Sequence, residues 1–127
     1  MLKDVETSMA KLFSVARKAL SSAGSSKAQV RILGDVIILK FYAKFTGLEQ
    51  MLFRFVNRDP AIHEQFYEMI YDDVCDQFQG VIQAHNATLR ITRMDHRTNA
   101  DLGHSVSVLY LNRDLEKLIA NGQVTIP

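Results

Sequence analysis

The chain has 127 residues, 47% of them hydrophobic and 23% charged, a composition that suits one folded domain with its own core and excludes a disordered chain. Lys and Arg number 15 against 14 Asp and Glu, a formal net charge of +1, so no global field recruits nucleic acid or an anionic membrane. The lone Cys75 excludes an intramolecular disulfide or a thiolate metal cage and makes a reducing, cytoplasmic compartment the simpler expectation.

The start, Met1-Leu2-Lys3-Asp4-Val5-Glu6, lacks the apolar h-region of a secretory signal, and no apolar run approaches the roughly 20 residues of a membrane-spanning helix. From Asp4 to Ala23, Val5, Met9, Leu12, Phe13, Ala16 and Leu20 recur at helical spacing, and Gly24-Ser25-Ser26 ends that helix. Two β-rich runs between Ala28 and Ala43 flank Gly34-Asp35, which reads as a hairpin with a type II′ turn. In that register Ala28, Val30, Ile32, Ile37, Leu39 and Phe41 share a dry face, and Gln29, Arg31, Ile38 and Lys40 a wet one.

Thr46-Gly47-Leu48-Glu49 has the spacing of a capping box, and Leu48, Met51, Leu52 and Phe55 give the short helix it opens an apolar side. Asp59-Pro60 pairs an N-cap with a first-position proline and starts a longer helix to about Ala84, whose stripe is Ile62, Phe66, Ile70, Val74, Phe78 and Val81 or Ile82, widened by Tyr67 and Met69. Thr88 to Met94 and His104 to Leu111 alternate as half-buried strands, with Leu89 and Ile91, then Val106, Val108 and Tyr110, assigned to the core. Asp95 to Gly103 reads as a long hairpin loop. Leu115, Leu118 and Ile119 mark a last short helix before a frayed end at Pro127. The order is α-β-β-α-α-β-β-α over residues 1–127: a single α+β domain with an antiparallel four-stranded sheet of two hairpins and helices packed on one face.

Two surfaces are candidates for binding. The outer sheet face collects Arg31, Ile38, Lys40, Arg90, Thr92, Ser105 and Ser107. Its apolar members, Ile38 with Leu109 and Met94, favour burial against a second protein surface, a homo-oligomer or another partner. A row of carboxylates, Glu64, Glu68, Asp72 and Asp76, recurs every fourth residue along the long helix. A solvated face is the ordinary explanation of such a row, but repulsion between like charges at that spacing gives a basic partner something to relieve. The runner-up for the sheet face is single-stranded RNA, held by Arg31, Lys40 and Arg90 with Tyr42 as the outward aromatic, Phe41 and Tyr110 being assigned to the core.

The motifs of chemistry are absent. Asp95, His96, Asp101 and His104 share one stretch, but their spacing matches no metal-binding pattern. Cys75 sits mid-helix beside the apolar stripe with no activating base. No phosphate loop, nucleophile elbow or dinucleotide fingerprint occurs, so neither an enzyme nor a cofactor is expected.

The run Val30-Arg31-Ile32-Leu33-Gly34-Asp35-Val36-Ile37-Ile38-Leu39, followed by Phe45-Thr46-Gly47-Leu48-Glu49-Gln50-Met51-Leu52 and later by Gly103-His104-Ser105-Val106-Ser107-Val108-Leu109-Tyr110-Leu111, resembles the MpsC-like domain, a small bacterial family. The likeness runs from the first helix to about Asn112 and lies in the order and spacing of these segments. It departs at Ala23-Gly24-Ser25-Ser26-Lys27 and at Asn57-Arg58-Asp59-Pro60, where the family carries Gly-x-Gly-Pro and Gly-Arg. The resemblance implies a non-enzymatic accessory role beside a cation or inorganic-carbon uptake system, and it supplies no catalytic residues.

Overall fold

A computed structural model of the chain describes residues 1–20, 27–42, 45–99 and 101–127. The elements follow in the order α1 (Leu2–Leu20), β1 (Lys27–Leu33), β2 (Val36–Tyr42), α2 (Gly47–Arg58), α3 (Pro60–His85), β3 (Ile91–Asn99), β4 (His104–Leu111) and α4 (Leu115–Ala120). The four strands form one antiparallel sheet in the order β1-β2-β4-β3. The fold is therefore the α+β class expected, while the predicted loop Gly24-Ser25-Ser26 lies outside the described residues.

The first hairpin has the register read from its turn, with Leu33 opposite Val36, Arg31 opposite Ile38 and Gln29 opposite Lys40. Gly34 adopts φ +60 while no other kind of residue among those described has positive φ, which is the type II′ pattern rather than type I′. The chain's end secures this turn. The Leu115 N–H donates to the Gly34 carbonyl at 2.9 Å, and the Gly34 N–H donates to the Glu116 carboxylate at 2.9 Å.

One core unites the helices with the inner sheet face. Val5, Met9 and Phe13 of α1 meet Val30, Ile32, Ile37, Leu39 and Phe41 of the hairpin, Phe78, Val81 and Ile82 of α3, and Leu115, Leu118 and Ile119 of α4. Each wholly buried side chain of this kind contributes about 1.5–3 kcal/mol. Phe78 is central, its ring 5.1 Å from Phe13 in an edge arrangement and 6.0 Å from Phe41. The tail stays attached beyond α4: Val124 is buried and the Thr125 N–H donates to the His85 carbonyl at 2.9 Å.

The second hairpin departs from expectation in two ways. Residues 95–99 continue β3 instead of forming a loop, because each pairs with β4, from Asp95 opposite Val108 to Asn99 opposite His104. The alternation of β4 is also inverted: Ser105, Ser107, Leu109 and Leu111 are buried, while Val106, Val108 and Tyr110 lie on the open face. The face of β4 follows its register with β2, Leu39 opposite Ser107 and Ile37 opposite Leu109, and a β-bulge between Ile91 and Arg93 inserts Thr92 and flips the parity of the rest of β3. Met94 consequently turns inward opposite Leu109, although the spacing from Leu89 and Ile91 predicts the outer face.

Candidate functional site

The open face of the sheet is apolar at its centre and charged at its margins. Val36 and Ile38 of β2 and Val106 and Val108 of β4 are half-buried there, side by side through the pairs Ile38 with Val108 and Val36 with Tyr110. Arg31 and Gln29 flank them on β1, and Arg93, Asp95 and Arg97 on β3, all exposed. Two aromatic rings stand on the same face: the Lys40 ammonium lies 4.9 Å from the Tyr42 ring centre, and the Arg93 guanidinium 5.6 Å from that of Tyr110.

The N-terminal half of α3 gives this face a wall. Asp59 caps the helix by accepting the Ala61 N–H at 2.9 Å, with Pro60 at its first turn. From there α3 follows the outer edge of β3. The Thr98 N–H donates to the Tyr67 hydroxyl at 3.0 Å. Further along, Gln79 accepts the Ile91 N–H and donates to the Leu89 carbonyl, both at 2.7 Å. Between wall and sheet lies a groove of about 840 Å³, lined by Glu64, Tyr67, Glu68, Tyr71 and Asp72 from α3 and by Asp95, His96, Arg97, Val106 and Val108 from the sheet. The groove joins Glu64, Glu68 and Asp72 of the predicted acidic row to the open sheet face, but none of Arg31, Ile38, Lys40, Arg90, Thr92, Ser105 and Ser107, the sheet-face residues named from the sequence for binding, lines it.

The groove is acidic. Glu64, Glu68 and Asp72 contribute three carboxylates against the one guanidinium of Arg97, and Asp95 a fourth that is paired with Arg93 at 3.1 Å. His63 adds little positive charge, because burial and then the neighbouring Arg97 hold its pKa below the usual imidazole range. An apolar floor below a carboxylate rim fits a cationic segment that also carries apolar side chains.

The other predicted residues divide. Arg31, Ile38 and Lys40 are on the open face as expected. Ser105 and Ser107 are not: both are buried on the helix side of the sheet, where their small side chains stand opposite Phe41 and Leu39 and leave room for the large ones. Arg90 precedes β3 and bonds the Ala87 and Leu89 carbonyls at 2.8 and 2.9 Å. Thr92 occupies the bulge and donates to the Tyr110 carbonyl at 3.1 Å. Asp76 is exposed further along α3 and does not line the groove. Tyr110, assigned to the core by its alternation, is on the open face.

A polar chain beneath the floor escaped the sequence reading. His96 Nδ1 is hydrogen-bonded to the Ser107 hydroxyl and Nε2 lies 3.3 Å from that of Thr98, with the Tyr67 ring edge-on at 5.2 Å. Ser107 is wholly buried, so its hydroxyl does not reach the groove, and the chain serves to tie β3 to β4. Cys75 is half-buried and burial pushes its thiol pKa up, away from thiolate chemistry. Asp95, His96, Asp101 and His104 disperse: Asp95 and His96 point to opposite faces of β3, and Asp101 pairs with Arg54 at 2.7 Å. Among the described residues no three His, Cys, Asp or Glu side chains converge as metal ligands, and no helix is long and apolar enough to cross a membrane.

Comparison of the chain with protein-family models, with curated proteins and with solved structures found no match.

Proposed function

We propose that this chain is a non-enzymatic protein-interaction and regulatory module, whose groove between α3 and the open sheet face receives a basic, partly apolar segment of a partner protein. The observation that carries this reading is the meeting of half-buried Val106 and Val108 with Glu64, Glu68 and Asp72 in one groove. Apolar floor and charged rim are the ordinary anatomy of a protein interface. The resemblance of the first hairpin and the Thr46 helix start to the MpsC-like domain supports a setting in the cytoplasm beside a cation or inorganic-carbon uptake system. A photo-crosslinking residue at Val108 in living cells tests the proposal. A discrete protein adduct that Glu68→Lys abolishes is expected; labelling that is absent, or indifferent to Glu68→Lys, overturns it.

A second reading, single-stranded RNA on the sheet, draws support from the cation-bearing rings of Tyr42 and Tyr110. Against it stand the aliphatic centre of the platform and the carboxylates of Glu64, Glu68 and Asp72, which repel phosphates. Binding of an oligonucleotide at low salt, lost in Tyr110→Ala, would favour RNA over the protein partner.

A further inference from the structure

The helix α2 docks by a narrow side and leaves most of its apolar surface outside. The Asn57 amide donates to the Thr98 carbonyl at 2.6 Å, and at the exposed margin Arg54 meets the Asp101 carboxylate at 2.7 Å. Val56, 2% exposed, and Phe53, edge-on to Phe66 at 5.9 Å, complete that docked side. The opposite side carries Leu48, Met51, Leu52 and Phe55, which are 78, 64, 47 and 57% exposed. At spacings of three and four they form one continuous stripe, the apolar side that the sequence gives this helix. Its exposed apolar surface, on the order of 500 Å², lies near the upper end for a soluble monomer. With its flanking residues it comes within reach of the roughly 800 Å² per partner that a stable interface buries.

We propose that a second copy of the chain covers this stripe, two α2 helices packing antiparallel about a two-fold axis level with the Met51–Leu52 peptide. The stripe is self-complementary about that axis. Leu48 of one copy meets the partner's Phe55, and Met51 and Leu52 each lie beside their own counterparts, so every large side chain gains a large apolar neighbour. No charge belongs to the stripe, and self-packing therefore desolvates none. Strand pairing is the weaker competitor, because helix side chains take hydrogen-bonding positions on both edge strands: Glu6 accepts the Ile32 N–H of β1 at 2.8 Å, and Tyr67 and Gln79 bond β3 and the residue before it. A lipid surface is the poorer occupant. Arg54 is already paired, and the exposed Glu64, Glu68, Asp72, Asp73 and Asp76 of the adjoining α3 are repelled by anionic headgroups. None of the four stripe residues lines the groove, so the dimer presents two open grooves and engages a repeated or dimeric partner with the gain of bivalency.

Sedimentation of the whole chain across about 1–200 µM decides the matter. A dimer is expected for the natural sequence. Leu48→Glu and Phe55→Lys each set a charge against an apolar side chain in both symmetric contacts and raise the dimer dissociation constant at least about 100-fold. Both charges suit their ends of the helix, an acid in the first turn and a base in the last, so each monomeric variant keeps the circular dichroism of the natural chain. Mixed in equal amounts they recover a dimer, since the carboxylate introduced at position 48 then meets the ammonium introduced at position 55 of the other chain, while the second contact is the natural Leu–Phe pair. A natural chain monomeric throughout, a dimer indifferent to both variants, or a mixture that stays monomeric overturns the proposal. So does a monomer that binds lipid vesicles through the stripe, which would make a membrane the occupant.

Discussion

The Thr98 backbone N–H donates to the phenol oxygen of Tyr67 at 3.0 Å, a side chain from α3 closing a hydrogen-bonding position on the outer edge of β3. More than three turns further along α3, Gln79 does the same twice, at the Ile91 N–H and the Leu89 carbonyl. An edge strand with free backbone groups is a template for pairing with other chains, and α3 removes that template while holding the groove wall in place. Tyr67→Phe keeps the ring against His96 but loses the acceptor, and costs about 1 kcal/mol. Gln79→Leu strands the Ile91 N–H, while the Leu89 carbonyl keeps its bond from Arg90 at 2.9 Å, and costs about 1–2 kcal/mol. Urea unfolding measures both, and Gln79→Leu is expected to be the more prone to aggregate on refolding.

The inverted alternation of β4 yields a sharp contrast between neighbours. Ser107 is wholly buried beneath the floor of the groove, whereas Val108 is half-buried on the open face. Ser107→Lys forces an ammonium into the core beside His96 and prevents folding, the unpaired charge costing several kcal/mol. Val108→Lys directs its ammonium to water and leaves the thermal midpoint within a few degrees. Circular dichroism melts of the two variants would reveal the reverse order if the valines faced the core.

These two residues also mark where the sequence ceases to be legible. The Gly34-Asp35 hairpin, the Thr46–Glu49 capping box and the Asp59-Pro60 helix start are decided by groups within a few positions of one another, and each forms as read. The face of β4 is decided at a distance. It depends on the register with β2, which sets Leu109 opposite Ile37, and on serines small enough to stand opposite Phe41 and Leu39, and neither leaves a local trace in the alternation. The presence of Leu109 and Leu111 on the same parity as the serines was the one available hint. The helix α2 is legible as a helix but not in its orientation, which follows from the burial of Val56, the packing of Phe53 on Phe66 and the bond from Asn57 to Thr98. Half of the groove was legible as a row of acids, and the union of that row with the sheet awaited the path of α3 along β3.

Gly34 is a point where backbone conformation alone governs stability. A Cβ placed there would meet nothing closer than the Asp114 carboxylate at 3.9 Å, an ordinary contact, so space is not the obstacle. The obstacle is φ +60, which disfavours any residue with a Cβ by about 1–2 kcal/mol. Gly34→Ala is expected to lower stability by that amount and to loosen α4, whose first amides depend on the Gly34 carbonyl. An unchanged urea midpoint in Gly34→Ala would refute the backbone explanation.

The buried His85 makes stability depend on pH in a definite direction. Its Nδ1 lies 2.9 Å from the Val81 carbonyl, which only an N–H can satisfy, so Nε2 is left to accept from the Ser8 hydroxyl, also at 2.9 Å. Both bonds belong to the neutral ring. Burial lowers the pKa below the ordinary imidazole range, and the weaker pull of the Val81 carbonyl does not restore it. Below about pH 6.5 the unfolded chain takes up a proton that the folded chain refuses. The unfolded state then binds more protons, and stability, complete above that pH, is lost as pH falls toward the depressed folded value. The slope is at most about 1.4 kcal/mol per pH unit for each such histidine. His63, lowered by burial and by Arg97, acts in the same sense. Urea unfolding at about pH 7.5 and 5.5 should show the loss, and His85→Gln should flatten it to the share left by His63. A slope unchanged in His85→Gln would mean that the proton enters elsewhere.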